Sequence, residues 1–209
     1  MEHPDTLVSA SNLANTLYAQ GLHEQATILD RETWGVRKRL LGAEHPETLA
    51  SANNLANTLR VQGQLDEAAA LLRETLEAKR RVMGAEQPDT LETASDLART
   101  LHAQGFHREA AALDRETLAV RKRVLGDEHP GTLASASNLA NTLFAEGLTD
   151  EAVKLHSDTL AMRRRVFGMD HPDTLAIWFY SHSGAFDQVQ HERLGDKLSF
   201  LPTDVPLRP

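Results

Sequence analysis

The chain has 209 residues, 41% of them hydrophobic and only 5% aromatic, with no cysteine and a formal net charge of −8. A core of Leu, Ala and Val suits closely packed helices better than sheets, and the missing cysteines exclude disulfides, thiolate metal sites and thiol nucleophiles. The acidic balance argues against nucleic acid, whose binding is dominated by phosphate neutralisation, and no apolar run approaches the roughly 20 residues of a membrane span.

Taken in chain order, the first predicted element opens at His3-Pro4-Asp5-Thr6-Leu7, and similar pentads begin at His45, Gln87, His129 and His171, 42 residues apart. Periodicity of this length marks a stacked-repeat architecture. Whole columns recur without a gap: Leu13, Leu55, Leu97 and Leu139; Ala14, Ala56, Ala98 and Ala140; Gly21, Gly63, Gly105 and Gly147; Ala26, Ala68, Ala110 and Ala152; Gly42, Gly84, Gly126 and Gly168. The predicted repeats are 3–44, 45–86, 87–128 and 129–170, with the start of a fifth at 171. Pro4 and its counterparts suit a first helical turn, where the absent N–H would be unpaired anyway. From there Leu7, Ala10, Leu13, Ala14 and Leu17 recur at three- and four-residue steps, which predicts an amphipathic helix ended by Gly21. A second helix is predicted from about His23 to Leu41, with Ala26, Leu29, Thr33, Val36 and Leu40 inward and Gly42 as its stop. No single pair can bury its apolar stripe alone, so stability must come from stacking.

The run Asn12-Leu13-Ala14-Asn15-Thr16-Leu17-Tyr18-Ala19-Gln20-Gly21, followed by Glu24-Gln25-Ala26, resembles the tetratricopeptide repeat. The 42-residue length and the linker Leu41-Gly42-Ala43-Glu44-His45-Pro46 are similar to the kinesin light chain subtype. The resemblance covers 3–176. It implies an all-α fold, a right-handed superhelical α-solenoid of four helix–turn–helix repeats closed by a C-terminal segment, in which the first helix of each pair lines a concave groove. It also implies two ligand-contact columns one turn apart on those helices: Ser11, Asn53, Ser95 and Ser137; and Asn15, Asn57, Arg99 and Asn141. An amide offers both donor and acceptor and can grip an extended peptide backbone, although the same side chains can instead bridge neighbouring repeats. Arg99 suits an acidic side chain or terminal carboxylate, or it balances Asp96 or Glu92. Farther along stand Tyr18, Arg60, His102 and Phe144, a variable column where specificity would reside in a peptide-binding groove.

Each second helix ends in a basic cluster: Arg37-Lys38-Arg39, Lys79-Arg80-Arg81, Arg121-Lys122-Arg123 and Arg163-Arg164-Arg165. Cations there are favoured by the helix dipole, and Glu44, Glu86 and Asp127 lie just beyond to neutralise them. A stripe of such clusters attracting an acidic surface or RNA is the weaker reading. His3, His45, His129 and His171 are a whole repeat apart, too far to share a metal. No phosphate loop, nucleophile elbow or His-Glu-x-x-His motif is present, so neither catalysis nor a cofactor is expected.

After Ala176 the pattern stops. Residues 177–209 hold five of the ten aromatics, Trp178, Phe179, Tyr180, Phe186 and Phe200. Pro172 to about Tyr180 is expected to form a short helix capping the array; docking into a partner, a second copy or the groove is the alternative. Because solenoid ends expose apolar faces, self-association is a further expectation. With no signal peptide visible after Met1, the expected location is cytoplasmic, and the start at a repeat boundary is also what a fragment of a longer protein would show. The function expected is a scaffold or adaptor holding a peptide or partner helix in the groove. The alternative is a structural subunit or sensor arm of a larger assembly that uses the convex face, edge or ends.

Overall fold

The computed structural model describes residues 3–168 and residue 171. Among them are eight α-helices and no strand: α1 (Pro4–Ala19), α2 (His23–Leu41), α3 (Pro46–Val61), α4 (Leu65–Val82), α5 (Pro88–Ala103), α6 (His107–Leu125), α7 (Pro130–Glu146) and α8 (Thr149–Phe167). The chain divides into two compact units, Met1–Leu155 and His156–Pro209. The stack described below is that of the first. The expected capping helix and the docking alternative for 177–209 lie outside the described residues.

All four first helices start at the predicted prolines, and the preceding residue is extended. Three of these are histidines that act as N-caps. The backbone N–H groups of Asp5, Glu47 and Gly131 donate to Nδ1 of His3, His45 and His129 at 3.3, 3.2 and 3.1 Å. That geometry needs a bare lone pair on Nδ1 and satisfies a donor the helix leaves orphaned. Gln87, the fourth member, makes no such bond.

First helices end in Schellman turns. In α1 the N–H of Gly21 reaches Tyr18 O at 3.0 Å and that of Leu22 reaches Leu17 O at 2.9 Å, with Gly21 at φ +77°, a conformation favouring glycine. The same pair of bonds recurs at Gly63, Gly105 and Gly147. Gly42, at φ +94°, stops α2.

From α1 to α7 each helix packs on the next, and successive first helices also approach one another, α3 to α5 and α5 to α7. The first helices therefore form the inner layer. The Ala14 and Ala26 columns are buried in every repeat, at the points where paired helices meet, and Leu55, Leu59, Leu72, Leu97, Leu101, Leu139 and Leu143 fill the space between pairs. This is the consecutive helix-pair packing of a tetratricopeptide α-solenoid.

Two expectations are corrected. Leu13 is 53% exposed although Leu55, Leu97 and Leu139 are buried: no described helix precedes α1, so the face that inner repeats bury against their predecessor is open. In α2 the buried stripe is Ala26, Thr27, Asp30, Thr33 and Arg37, while Leu40 is exposed. The true inward face is turned from the predicted one because it carries an acid and a cation.

Candidate functional site

The inner layer is held by polar groups as much as by leucine. At the junction of the second and third repeats Asp96, 1% exposed, accepts at Oδ2 from Asn53 Nδ2 at 2.6 Å and Asn57 Nδ2 at 2.9 Å. Its other oxygen accepts from the Arg99 guanidinium. Asn53 Oδ1 in turn accepts from Thr93 Oγ1 at 2.7 Å, and Lys79 Nζ donates to Thr93 Oγ1 at 2.9 Å. Burial depresses the Lys79 ammonium; Asp89, Asp96 and Glu92 oppose that shift. A chain of hydrogen bonds thus runs from the end of α4 through α5 to the inner surface of α3.

The cation at the start of this chain has counterparts. Arg37 Nη1 donates to Ser11 Oγ at 3.0 Å and Ser51 Oγ at 2.5 Å. Arg121 donates to Ser135 Oγ at 2.7 Å and Gly131 O at 3.2 Å, and pairs with Glu92 at 3.2 Å. Arg37, Lys79 and Arg121 are all buried, each plugging the joint between its own second helix and the next first helix. The other cations of the second and third basic clusters are paired: across repeats Arg81 with Glu44, Arg123 with Glu86 at 2.6 Å and Arg80 with Glu116 at 2.8 Å, and within its own repeat Lys122 with Asp127 at 3.3 Å. Glu44 and Glu86 therefore serve the following repeat rather than their own.

The predicted columns fare differently. Of the first, Asn53 and Ser95 are buried, Ser95 donating to Leu91 O at 3.1 Å. Ser11 is half-buried under Arg37, and Ser137 is half-buried and bonded to Leu133 O at 3.0 Å. Of the second, Asn15 is exposed, and Asn57 and Asn141 are half-buried, each with an Oδ1 that finds no partner. Arg99 leans on Asp96 yet keeps 42% of its side chain exposed.

Asn15, Tyr18, Asn57, Arg60 and Arg99 come together with Asp30, Asn54 and Thr58 around one concavity of about 230 Å³ on the inner layer. Two guanidiniums face it, and Arg60 Nε has no partner. Asp30, 4% exposed, receives a hydrogen bond from Thr58 Oγ1 at 3.3 Å; burial, opposed by that bond, pushes its carboxyl up to about 6. Asp114 repeats the arrangement with Thr142 at 3.0 Å and is also raised to about 6 by burial, against the pull of Thr142, Arg99 and Arg121. His102 and Phe144 lie outside this concavity. His102 packs edge-on against His107, ring centroids 5.0 Å apart, as Tyr18 does against His23 at 5.1 Å, and burial, reinforced by His107, depresses it. Phe144 packs on the Leu139–Leu143 core cluster.

The sequence pointed to Asp96 only as a counter-ion of Arg99, a pair the structure makes; its burial against Asn53 and Asn57, and the burial of Asp30, were not foreseen. The signal was present: Asp96 stands where the other repeats have Asn12, Asn54 and Asn138, and Asp30 and Asp114 where they have Leu72 and His156. Among the described residues no three His, Asp or Glu gather as a metal site, and no helix is long and apolar enough to cross a membrane.

A tetratricopeptide-repeat family model matches residues 5–81, 47–123 and 89–165. No curated protein matches the sequence. Among solved structures, the nearly identical TPR-like repeats of a Podosopora anserina protein assigned to the kinesin light chains are 31% identical, with a TM-score of 0.78 over 92% of this chain and 90% of that one. BtubC (BKLC) from P. vanneervenii is 20% identical, with a TM-score of 0.69 over 96% of this chain and 84% of that one. A Rap protein complexed with Competence and Sporulation Factor is 12% identical, with a TM-score of 0.64 over 91% and 58%; these last two share the fold alone. With family matches spanning 5–165, the chain belongs to the tetratricopeptide-repeat family, with repeats like those of kinesin light chains.

Proposed function

We propose that the protein is a non-enzymatic interaction scaffold that holds an extended segment of a partner protein along its inner layer, with an acidic side chain or terminal carboxylate seated beside Arg60 and Arg99. The observation that carries this reading is the concavity between α1, α3 and α5, lined by Asn15, Tyr18, Asn57, Arg60 and Arg99. Its unpaired Asn57 Oδ1 and Arg60 Nε suit a peptide N–H and an acid respectively, because a buried polar atom without a partner is costly until a ligand supplies one. That the solved Rap structure of this fold is a complex with Competence and Sporulation Factor agrees with a ligand-holding role.

The alternative, a subunit of a larger assembly joined through its ends, draws on exposed Leu13. The two readings separate on a peptide selected from a display library against the intact chain. Under the groove reading, Asn15→Ala/Asn57→Ala/Asn141→Ala weakens that peptide at least roughly tenfold, and Arg99→Ala weakens it about ten- to hundredfold only while the peptide keeps its acid. Additive losses on removing Arg99 and the acid would show that the two do not meet. Wild-type affinity in the triple variant would move the binding site off the inner layer.

A further inference from the structure

The outer layer carries a second cavity, on the opposite side of the helix pairs from the inner one. Successive second helices are tied by a repeating ion pair: Arg31–Glu67 at 2.6 Å, Arg73–Glu109 at 2.9 Å and Arg115–Glu151 at 3.4 Å. Between α4 and α6 a further pair, Arg80–Glu116, closes the seam two turns on. The matching pair between α2 and α4 would be Lys38–Glu74, and it is not made. Lys38 sits instead over the Trp34 ring, 4.8 Å from its centroid.

Three substitutions within the repeat pattern converge there. Trp34 replaces the Leu of the other repeats (Leu76, Leu118, Leu160) and draws Lys38 away. Ala78 replaces Val36, Val120 and Met162, which removes volume from the seam. Glu77 replaces Gly35, Ala119 and Ala161, which adds a carboxylate. The result is a cavity of about 330 Å³ with Trp34, Leu49, Ala52, Leu71 and Ala78 as its apolar lining and charged groups on its rim. On that rim Arg81 is engaged by Glu44, whereas Glu74 and Glu77, one turn apart on α4 and both exposed, have no partner among the described residues.

We propose that this cavity receives an arginine side chain of a partner polypeptide. The methylene stem lies on the Trp34, Leu71 and Ala78 lining, as such stems do on apolar surface. The guanidinium bridges Glu74 and Glu77, whose one-turn spacing suits a planar fork better than a point-like ammonium. The charge balance agrees: with Arg81 engaged by Glu44 and the Lys38 ammonium on the Trp34 ring, Glu74 and Glu77 leave the rim net negative, which favours a cation and disfavours an acid. This site is independent of the inner-layer groove and uses none of its residues.

The test uses the full chain and the capped peptide acetyl-Gly-Arg-Gly-amide, against the same peptide with citrulline, which keeps the shape and removes the charge. Binding is followed by NMR at the Trp34 indole N–H and the Ala78 methyl. The expected result is a saturable shift at both signals with the arginine peptide. The citrulline peptide should bind at least roughly tenfold more weakly, and Glu74→Gln/Glu77→Gln should weaken the arginine peptide by a similar factor. Ala78→Val, which restores the side chain of the neighbouring repeats, should also weaken binding without lowering the melting temperature, and Glu74→Gln/Glu77→Gln decides the matter if that variant fails to fold. Equal binding of the two peptides, unchanged binding in Glu74→Gln/Glu77→Gln, or no saturable shift at Trp34 and Ala78 would overturn the proposal.

Discussion

Asp96 concentrates, in one side chain, how this array differs from a plain leucine stack. Its two oxygens take donors from Asn53, Asn57 and Arg99, on two helices of neighbouring repeats. Truncating it leaves buried amide donors with nothing to bond, and such a loss costs the desolvation of each group rather than the modest net worth of one bond. Asp96→Ala is therefore expected to destabilise the fold by about 2–4 kcal/mol, whereas Asp96→Asn, the residue of the other three repeats, should cost clearly less. Urea denaturation of the two variants checks this; equal losses would mean that the carboxyl's acceptors do not matter. The same residue explains why part of the candidate site was hidden from the sequence. Asn15, Asn57, Arg60 and Arg99 stood out through column position and family resemblance. The burial of Asp96 and Asp30 did not, because a charge in a helix is exposed by default and the groups that satisfy these two, Asn53, Asn57 and Thr58, stand in the adjacent repeat.

At the scale of the helix, boundaries were readable and facing was less so. Pro4 and Gly21 punctuate the chain through backbone sterics alone, and the observed ends agree with them. The face of α2 was misjudged because Arg37 and Asp30 occupy inward positions, stabilised by Ser11, Ser51 and Thr58 from the adjoining first helices. No local pattern shows partners that distant. The histidine caps were also unread: His3, His45 and His129 looked like markers of the repeat and proved to be acceptors for the first turn. Gln87 lacks that bond, so Gln87→His should supply it and stabilise the protein by about 0.5–1 kcal/mol at pH 8, where imidazole is neutral. A melting temperature unchanged by Gln87→His would show that the histidine bond adds nothing over solvent.

Across the whole molecule the buried titratable groups give stability a definite pH dependence. Asp30 and Asp114 are raised by burial to about 6, from roughly 3.9 in an unfolded chain. A folded pKa above the unfolded value means that their favourable contribution is full below about pH 4 and is lost as pH rises through 6. His156 acts in the opposite sense: burial first, and Arg163 second, lower it to about 4, so its contribution is present above roughly pH 6.5 and is lost as pH falls towards 4. Comparing wild type with Asp30→Asn/Asp114→Asn isolates the two acids. The double variant should be more stable at pH 8 by about 2–5 kcal/mol, and the advantage should fade by pH 4. An advantage independent of pH would contradict the burial of these carboxyls as charges.

The extended, acid-bearing segment of the partner is held by the inner layer, and neither the outer-layer arginine site nor the ends take its place. Site-specific photo-crosslinking in cells tests it most directly, with a benzophenone amino acid placed singly at Tyr18, Arg60 or His102 on the inner layer, at Ile28 or Ala70 on the outer layer, and at Leu13 on the open face of α1. The account predicts that one and the same partner is captured from the inner positions, and that its crosslinked peptide carries an acidic residue or its own C-terminus near Arg60. Capture of that partner chiefly from Ile28, Ala70 or Leu13, with the inner positions silent, would contradict it.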